Sequence, residues 1–205
     1  SRVIELRSLT MKSFKYWMEK DAASGALHYF AHCLAAPVLA LSTFKVLTGD
    51  IYAVAELISI LMGSFLLYLV GKGETKSMMV RHGGKMILAD YAFWIGLAVL
   101  SYRHIELRYI SMVVLMPMFY STKSIMFKVV INRNMKGDEL TDITMWAEKF
   151  RMLAGALGFF AAFLMAKMDI NIGLGSALLI TQLGAGPSVY TDYQLWKSGK
   201  DTLAD

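Results

Sequence analysis

The chain has 205 residues, of which 56% are hydrophobic and only 18% are charged, and its mean hydropathy is +0.47. Soluble domains carry about 25% charged residues, so these values exclude an ordinary soluble domain and favour a membrane protein. A single cysteine excludes an internal disulfide framework, and a net charge of +5 without a basic cluster gives no support to nucleic-acid binding.

The N-terminal 25 residues predict a helix that lies in the membrane interface. This segment mixes large apolar side chains such as Phe14, Trp17 and Met18 with five Lys and Arg residues. That mixture is typical of an amphipathic helix lying at the level of the lipid headgroups. We therefore predict an interfacial helix over residues 1–25, ahead of the first membrane span.

Six apolar stretches approach the length needed to cross a bilayer, whose ~30 Å hydrocarbon core requires about 20 helical residues. The predicted spans are 26–44, 51–70, 86–102, 109–127, 150–166 and 170–190. The fifth span is expected to extend backward through Trp146 towards Asp138, an expected N-cap residue. The sixth contains Gly184, Gly186 and Pro187, which predict an interruption, and residues 191–205 form a polar tail.

The distribution of basic residues between the spans predicts their orientation. The N-terminal segment, the second and fourth connections and the C-terminal tail together hold 16 Lys and Arg residues, whereas the three other connections hold 4. Because Lys and Arg concentrate on the non-translocated side, we expect both termini on that basic side. No repeat or linker divides the chain, so we predict one domain over 1–205, an all-α polytopic transmembrane helical bundle.

His28 and His32 are the candidates for a cofactor site. Their spacing of four residues places them on one face of the first span, as haem, metal or quinone ligands would require. No cluster of carboxylates or cysteines completes a ligand set, so hydrogen bonding to neighbouring helices or headgroups is the preferred interpretation. The chain also lacks the common nucleophile and zinc-protease motifs, and we predict no catalytic residue, metal or cofactor.

Three charged residues, Glu56, Asp90 and Lys123, fall inside predicted spans. A charge in hydrocarbon costs at least ~2.5–3.5 kcal/mol, so each should face protein or water. Asp90 and Lys123 both lie about one turn inside the basic surface, and we expect them to pair and brace the third and fourth spans. The middle of the membrane holds no charge, which does not favour proton pumping.

The connection between the second and third spans predicts a contact with anionic lipid headgroups, cardiolipin included. It contains Gly83-Gly84, interpreted as part of a loop, and four cations that would contact phosphate: Lys72, Lys76, Arg81 and Lys85.

Small residues recur every four positions in the last two spans, a pattern that lets helix backbones approach closely. These residues are Ala154, Gly158, Ala162, Gly173 and Ala177. Two neighbouring helices need fewer of them, so we expect the surplus to pack against another protein, or against lipid wedged between proteins.

These features favour a non-catalytic structural or assembly subunit of a larger membrane complex. A small transporter or channel and a lipid-binding, membrane-shaping protein are the alternatives. The basic side and the start at Ser1 suit an imported protein of the mitochondrial inner membrane, with the endoplasmic reticulum or another endomembrane as the alternative. The expected partners are other membrane subunits and anionic phospholipids.

Overall fold

The computed structural model describes residues 2–46, 73–100 and 137–200, together with scattered positions between 53 and 68 and between 131 and 135. These residues form four α-helices and no strand. The helices are α1 (Arg2–Val46), α2 (Gly73–Leu100), α3 (Asp138–Lys167) and α4 (Leu174–Gly199). The all-helical prediction is therefore confirmed for the described part of the chain.

Three stretches of these helices are long and apolar enough to cross a membrane. They are Lys12–Ser42 in α1, Arg81–Leu100 in α2 and Asp138–Lys167 in α3. They are consistent with an integral membrane protein. The predicted count of six spans is not supported, because spans 51–70 and 109–127 lie largely or wholly outside the described residues and α4 is not among the three.

α4 runs antiparallel to both α1 and α2, as the order of facing residues along each helix shows. The facing pairs with α1 are Leu195–Phe14 and Gly184–Ala31, and those with α2 are Trp196–Gly84 and Gly186–Tyr91. α3 runs parallel to α1, with facing pairs Glu139–Lys15 and Gly158–Cys33. α1, α2 and α3 therefore share one direction and α4 the opposite one, which is the relation that the sequence predicts for spans one, three, five and six.

The N-terminal segment is not a separate interfacial helix. α1 continues without a break over 45 residues, or about 67 Å, which is more than twice the ~30 Å hydrocarbon core. Phe14 and Met18 are buried in a cluster with Ile143 and Leu195. The predicted boundary at residue 25 is therefore wrong, and the apolar face of this segment packs within the chain.

This cluster lies at the polar end of the bundle, which we define as residues 12–21, 81–85, 138–151 and 192–200. Exposed charged side chains surround it on α1 and α3. The polar end is thus held by an apolar core of its own, beyond the most apolar stretches of the helices.

Two predicted interruptions are absent from the helices. The glycine pair 83–84, predicted as a loop, lies inside α2, where a Cβ on Gly84 would come within 2.8 Å of ring atoms of both Trp196 and Tyr193. α4 continues through residues 184–187 and through most of the predicted polar tail, to Gly199. These glycines permit close helix packing instead of ending a helix.

The backward extension of the fifth span is confirmed. α3 begins at Asp138, although the N-cap position is occupied by Gly137 and not by Asp138 as expected. The first turn carries Asp138 and Glu139, whose charges are favourable near the positive end of the helix dipole.

Candidate functional site

The two histidine candidates lie on α1, which also carries the one cysteine of the chain. His28 is partly buried and His32 is exposed, while Cys33 is buried against α3. Among the described residues, no group of three His, Cys, Asp or Glu side chains is placed to hold a metal ion.

Asp90 is the one predicted intramembrane charge that the structure describes. It is partly buried on α2, and its carboxylate accepts a hydrogen bond of 3.0 Å from the indole Nε1 of Trp94, one turn along the helix. Glu56 and Lys123 lie outside the described residues. The pairing of Asp90 with Lys123 therefore stays a prediction.

The expected lipid-contacting cations lie on a helix and not on a loop. Arg81 and Lys85 are exposed and four residues apart, so they share one face of α2 at the polar end. Lys72 and the side chain of Lys76 lie outside the described part of the chain. Contact with lipid headgroups stays a prediction for all four.

Gly158 lies where α3 packs closely against the backbone of α1. A Cβ at this position would lie 2.5 Å from the carbonyl oxygen of Phe30 and 2.9 Å from the Cβ of Cys33. Gly155, one turn earlier, would place a Cβ 2.6 Å from the ring of Tyr29. This small face of α3 is thus filled by α1 of the same chain, so no external partner is needed there.

The other predicted small residues have different environments. Ala154 and Ala162 are partly buried on α3, and Ala177 is fully buried on α4. Gly173 is the exposed N-cap residue of α4, and a Cβ added there would meet no atom within 4 Å.

A polar cluster that the sequence analysis missed joins α1 to α4. The hydroxyl of Thr191 donates to the carboxylate of Asp21 at 2.8 Å and lies 2.8 Å from the hydroxyl of Ser24. Ser24, Thr191 and Asp192 are buried. Because its polar groups bind one another, the cluster sets the register of the two helices. Residues 21 and 191 are 170 positions apart, and no local pattern connects them.

A second feature missed from the sequence is an open groove of about 630 Å³ between α1 and α3 at the polar end. We call it the acidic groove; it is lined by Lys15, Glu19, Glu139, Asp142, Ile143 and Trp146. Lys15 Nζ lies 2.6 Å from Glu139 Oε1, and both side chains are about half exposed. Three carboxylates face one ammonium group. Glu139, Asp142 and Trp146 are three and four residues apart, so they share one face of a helix. The side of the groove that α3 forms could therefore have been predicted from the sequence.

The outer face of α3 is apolar and exposed. Only 11% of its most apolar 18-residue stretch is buried. Of the ten exposed large apolar side chains on α3, six follow one another at alternating spacings of four and three, each between 40% and 60% exposed. We call them the α3 strip: Trp146, Phe150, Leu153, Leu157, Phe160 and Leu164. An apolar surface this long requires cover by lipid or protein.

Comparison with family models, curated proteins and solved structures finds no match to this chain. Its function must therefore be inferred from its own geometry, above all from the α3 strip and the acidic groove beside it.

Proposed function

We propose that this protein is a non-catalytic subunit, with a structural or assembly role, of a larger membrane protein complex. The observation that carries the proposal is the α3 strip. Alternating spacings of four and three keep large side chains on one seam facing a partner helix, with each side chain inserted between residues of that partner. Lipid chains require apolar side chains but not this spacing.

The packing of α3 supports an outward-facing partner. Its small face is already occupied by α1, with Gly158 against the backbone of Phe30. The strip lies on the exposed part of the same helix. α3 therefore has one face for its own chain and a second, chemically different face for a neighbour.

The charge pattern of the described helices supports a structural role over transport. Residues 22–42 of α1, 91–100 of α2 and 152–166 of α3 contain no Asp, Glu, Lys or Arg. Ion and proton pathways depend on ionisable groups spaced through the depth of the membrane, and the acids and bases of these stretches that titrate near neutral pH are limited to His28 and His32, one turn apart on α1.

The directions of the helices support the six-span topology, which we propose for the whole chain. If α1, α2 and α3 cross the bilayer in the same direction, each connection between them must return to the side where the preceding helix began. The connections 47–72 and 101–137 contain the apolar stretches 51–70 and 109–127, each long enough to cross once as a helix.

Anionic phospholipids are proposed partners at the polar end, where Arg81 and Lys85 are exposed on one face of α2. The mitochondrial inner membrane is the proposed location, supported by the basic side that would face the matrix. Subcellular fractionation tests the location, and recovery in another membrane would contradict it.

Native electrophoresis after extraction in a mild detergent tests the proposed function. We expect a particle far larger than the 22.9 kDa chain with its detergent. The strip variant Leu153→Ala/Leu157→Ala/Phe160→Ala should release the protein from this particle, because the partner loses its contact surface. The matched control Leu88→Ala/Val99→Ala alters exposed apolar residues of α2 and should assemble normally. A wild-type monomer, or a strip variant that assembles fully, would contradict the proposal.

A further inference from the structure

We propose that the acidic groove receives the basic juxtamembrane segment of a partner membrane protein, whose cationic side chains, at least one of them a Lys, pair with Glu19 and Asp142. The inference rests on the proposed function, because it specifies the chemistry of the partner that the α3 strip would bind.

The charges of the groove define the kind of partner it accepts. Lys15 is held by Glu139 at 2.6 Å, so Glu19 and Asp142 supply a net charge of −2. The whole chain carries +5, and the groove is thus an acidic exception on a basic protein. It repels lipid phosphate and attracts cationic side chains.

The apolar floor of the groove favours long cationic side chains over a small cation. Ile143 and Trp146 line it beside the carboxylates. Lys and Arg can lay their aliphatic stems on such a floor while their charged groups reach the carboxylates. The ring of Trp146 also offers a face that attracts a cation.

The position of the groove specifies where on the partner these cations lie. Trp146 belongs both to the groove and to the α3 strip, so the two surfaces are continuous. A transmembrane helix seated on the strip therefore brings its flanking segment to the groove. On the basic side of a membrane, the flanks of transmembrane helices are enriched in Lys and Arg.

Zero-length cross-linking in native membranes tests the inference. A water-soluble carbodiimide joins a carboxylate to a primary amine that touches it, through an amide bond. We expect mass spectrometry to find Glu19 or Asp142 joined to a Lys next to an apolar stretch of at least ~17 residues in another protein. The adduct should fall to background in Glu19→Gln/Asp142→Asn. It should persist in Glu148→Gln, a matched control whose carboxylate pairs with Arg151 on the same helix and lies outside the groove.

The other outcomes separate the inference from the proposed function. Adducts with the amine of phosphatidylethanolamine or phosphatidylserine would assign the groove to lipid, and adducts with a soluble protein would assign it to a different partner; either result overturns the inference. A large native particle without any groove adduct overturns it while the proposed function stands. A wild-type protein that runs as a monomer overturns both.

Discussion

Replacing Gly158 with Ala should loosen the contact between α1 and α3. The added Cβ would lie 2.5 Å from the carbonyl oxygen of Phe30 and 2.9 Å from the Cβ of Cys33. The oxygen belongs to a helix backbone and cannot rotate away. The helices must therefore separate by roughly 0.8 Å to restore the ~3.3 Å at which a carbon and a carbonyl oxygen normally meet.

This separation sets the expected loss of stability. A gap of ~0.5–1 Å removes a quarter to a half of the dispersion energy between atoms that face each other across it. Inserting one methyl group into a filled contact typically costs ~1–3 kcal/mol, and we expect about 2 kcal/mol for Gly158→Ala. The larger Gly158→Leu would disturb the fold of this chain first, so it is not a clean test of association.

Unfolding in mixed micelles of a mild detergent and sodium dodecyl sulfate, followed by tryptophan fluorescence, measures this change. Gly96→Ala is the matched control on α2, because no atom lies within 4 Å of the Cβ it would add. We expect the control to be unchanged or more stable by up to about 1 kcal/mol. Equal free energies of unfolding for the two variants would refute the close approach of α1 and α3.

Three further predictions test the helix contacts and the topology. Gly155→Cys in a Tyr29→Ala background should form an intramolecular disulfide with Cys33 on mild oxidation, since its Cβ would lie 3.4 Å from the Cys33 sulfur. The control Gly173→Cys should form no such disulfide. A disulfide that forms only between chains would contradict the α1–α3 contact. Thr191→Val should lower the free energy of unfolding by ~1–3 kcal/mol, because it removes the hydroxyl that bonds both the carboxylate of Asp21 and the buried hydroxyl of Ser24. The control Thr144→Val, whose hydroxyl binds its own helix at the Leu140 carbonyl on the surface, should change stability by less than ~0.5 kcal/mol, and equal losses would refute the role of the cluster. In a Cys33→Ser background, cysteines that replace Lys15, Lys76 and Lys200 should react with an impermeant thiol reagent from one side of the membrane, and a cysteine that replaces Asn171 should react from the other side. Labelling of any of the first three from the side of Asn171 would refute the six-span topology.

The long helices were predictable because their signal is local. Apolar composition identified α1, and the helical spacing of Leu140, Ile143, Ala147 and Phe150 predicted that α3 starts well before its apolar stretch. Neither inference required knowledge of a distant residue.

The helix ends were less predictable because packing overrides local preference. Pro187 supplies no amide proton within α4, which argued for an interruption. The neighbouring α2 gives support in this turn: the hydroxyl of Tyr91 donates a hydrogen bond of 3.0 Å to the carbonyl of Gln182, next to the Leu183 carbonyl that Pro187 leaves without its helical donor. Tyr91 lies 91 positions from Gln182, so this support is invisible to any local pattern.

The N-terminal segment shows that one amphipathic pattern is compatible with two environments. Phe14, Trp17 and Met18 on one face suit the lipid interface and the interior of a helical bundle equally well. Their actual neighbour is Leu195, from the segment that was predicted to be a polar tail outside the bundle's spans. Each segment was misassigned because the residue that buries it lies at the other end of the chain.

The small residues of α3 are equally ambiguous evidence about function. They predicted a contact between proteins, but the backbone of α1 fills the space at Gly158. A small face permits close approach to any helix and so says little about which helix it will meet. The α3 strip and the acidic groove are more selective. A partner must have side chains whose spacing matches the strip, and it must also carry cations at the level of the groove relative to the membrane. Specificity for a partner should therefore reside in Glu19, Asp142 and the strip, and loss of the groove charges should impair recognition without disturbing the contact between α1 and α3.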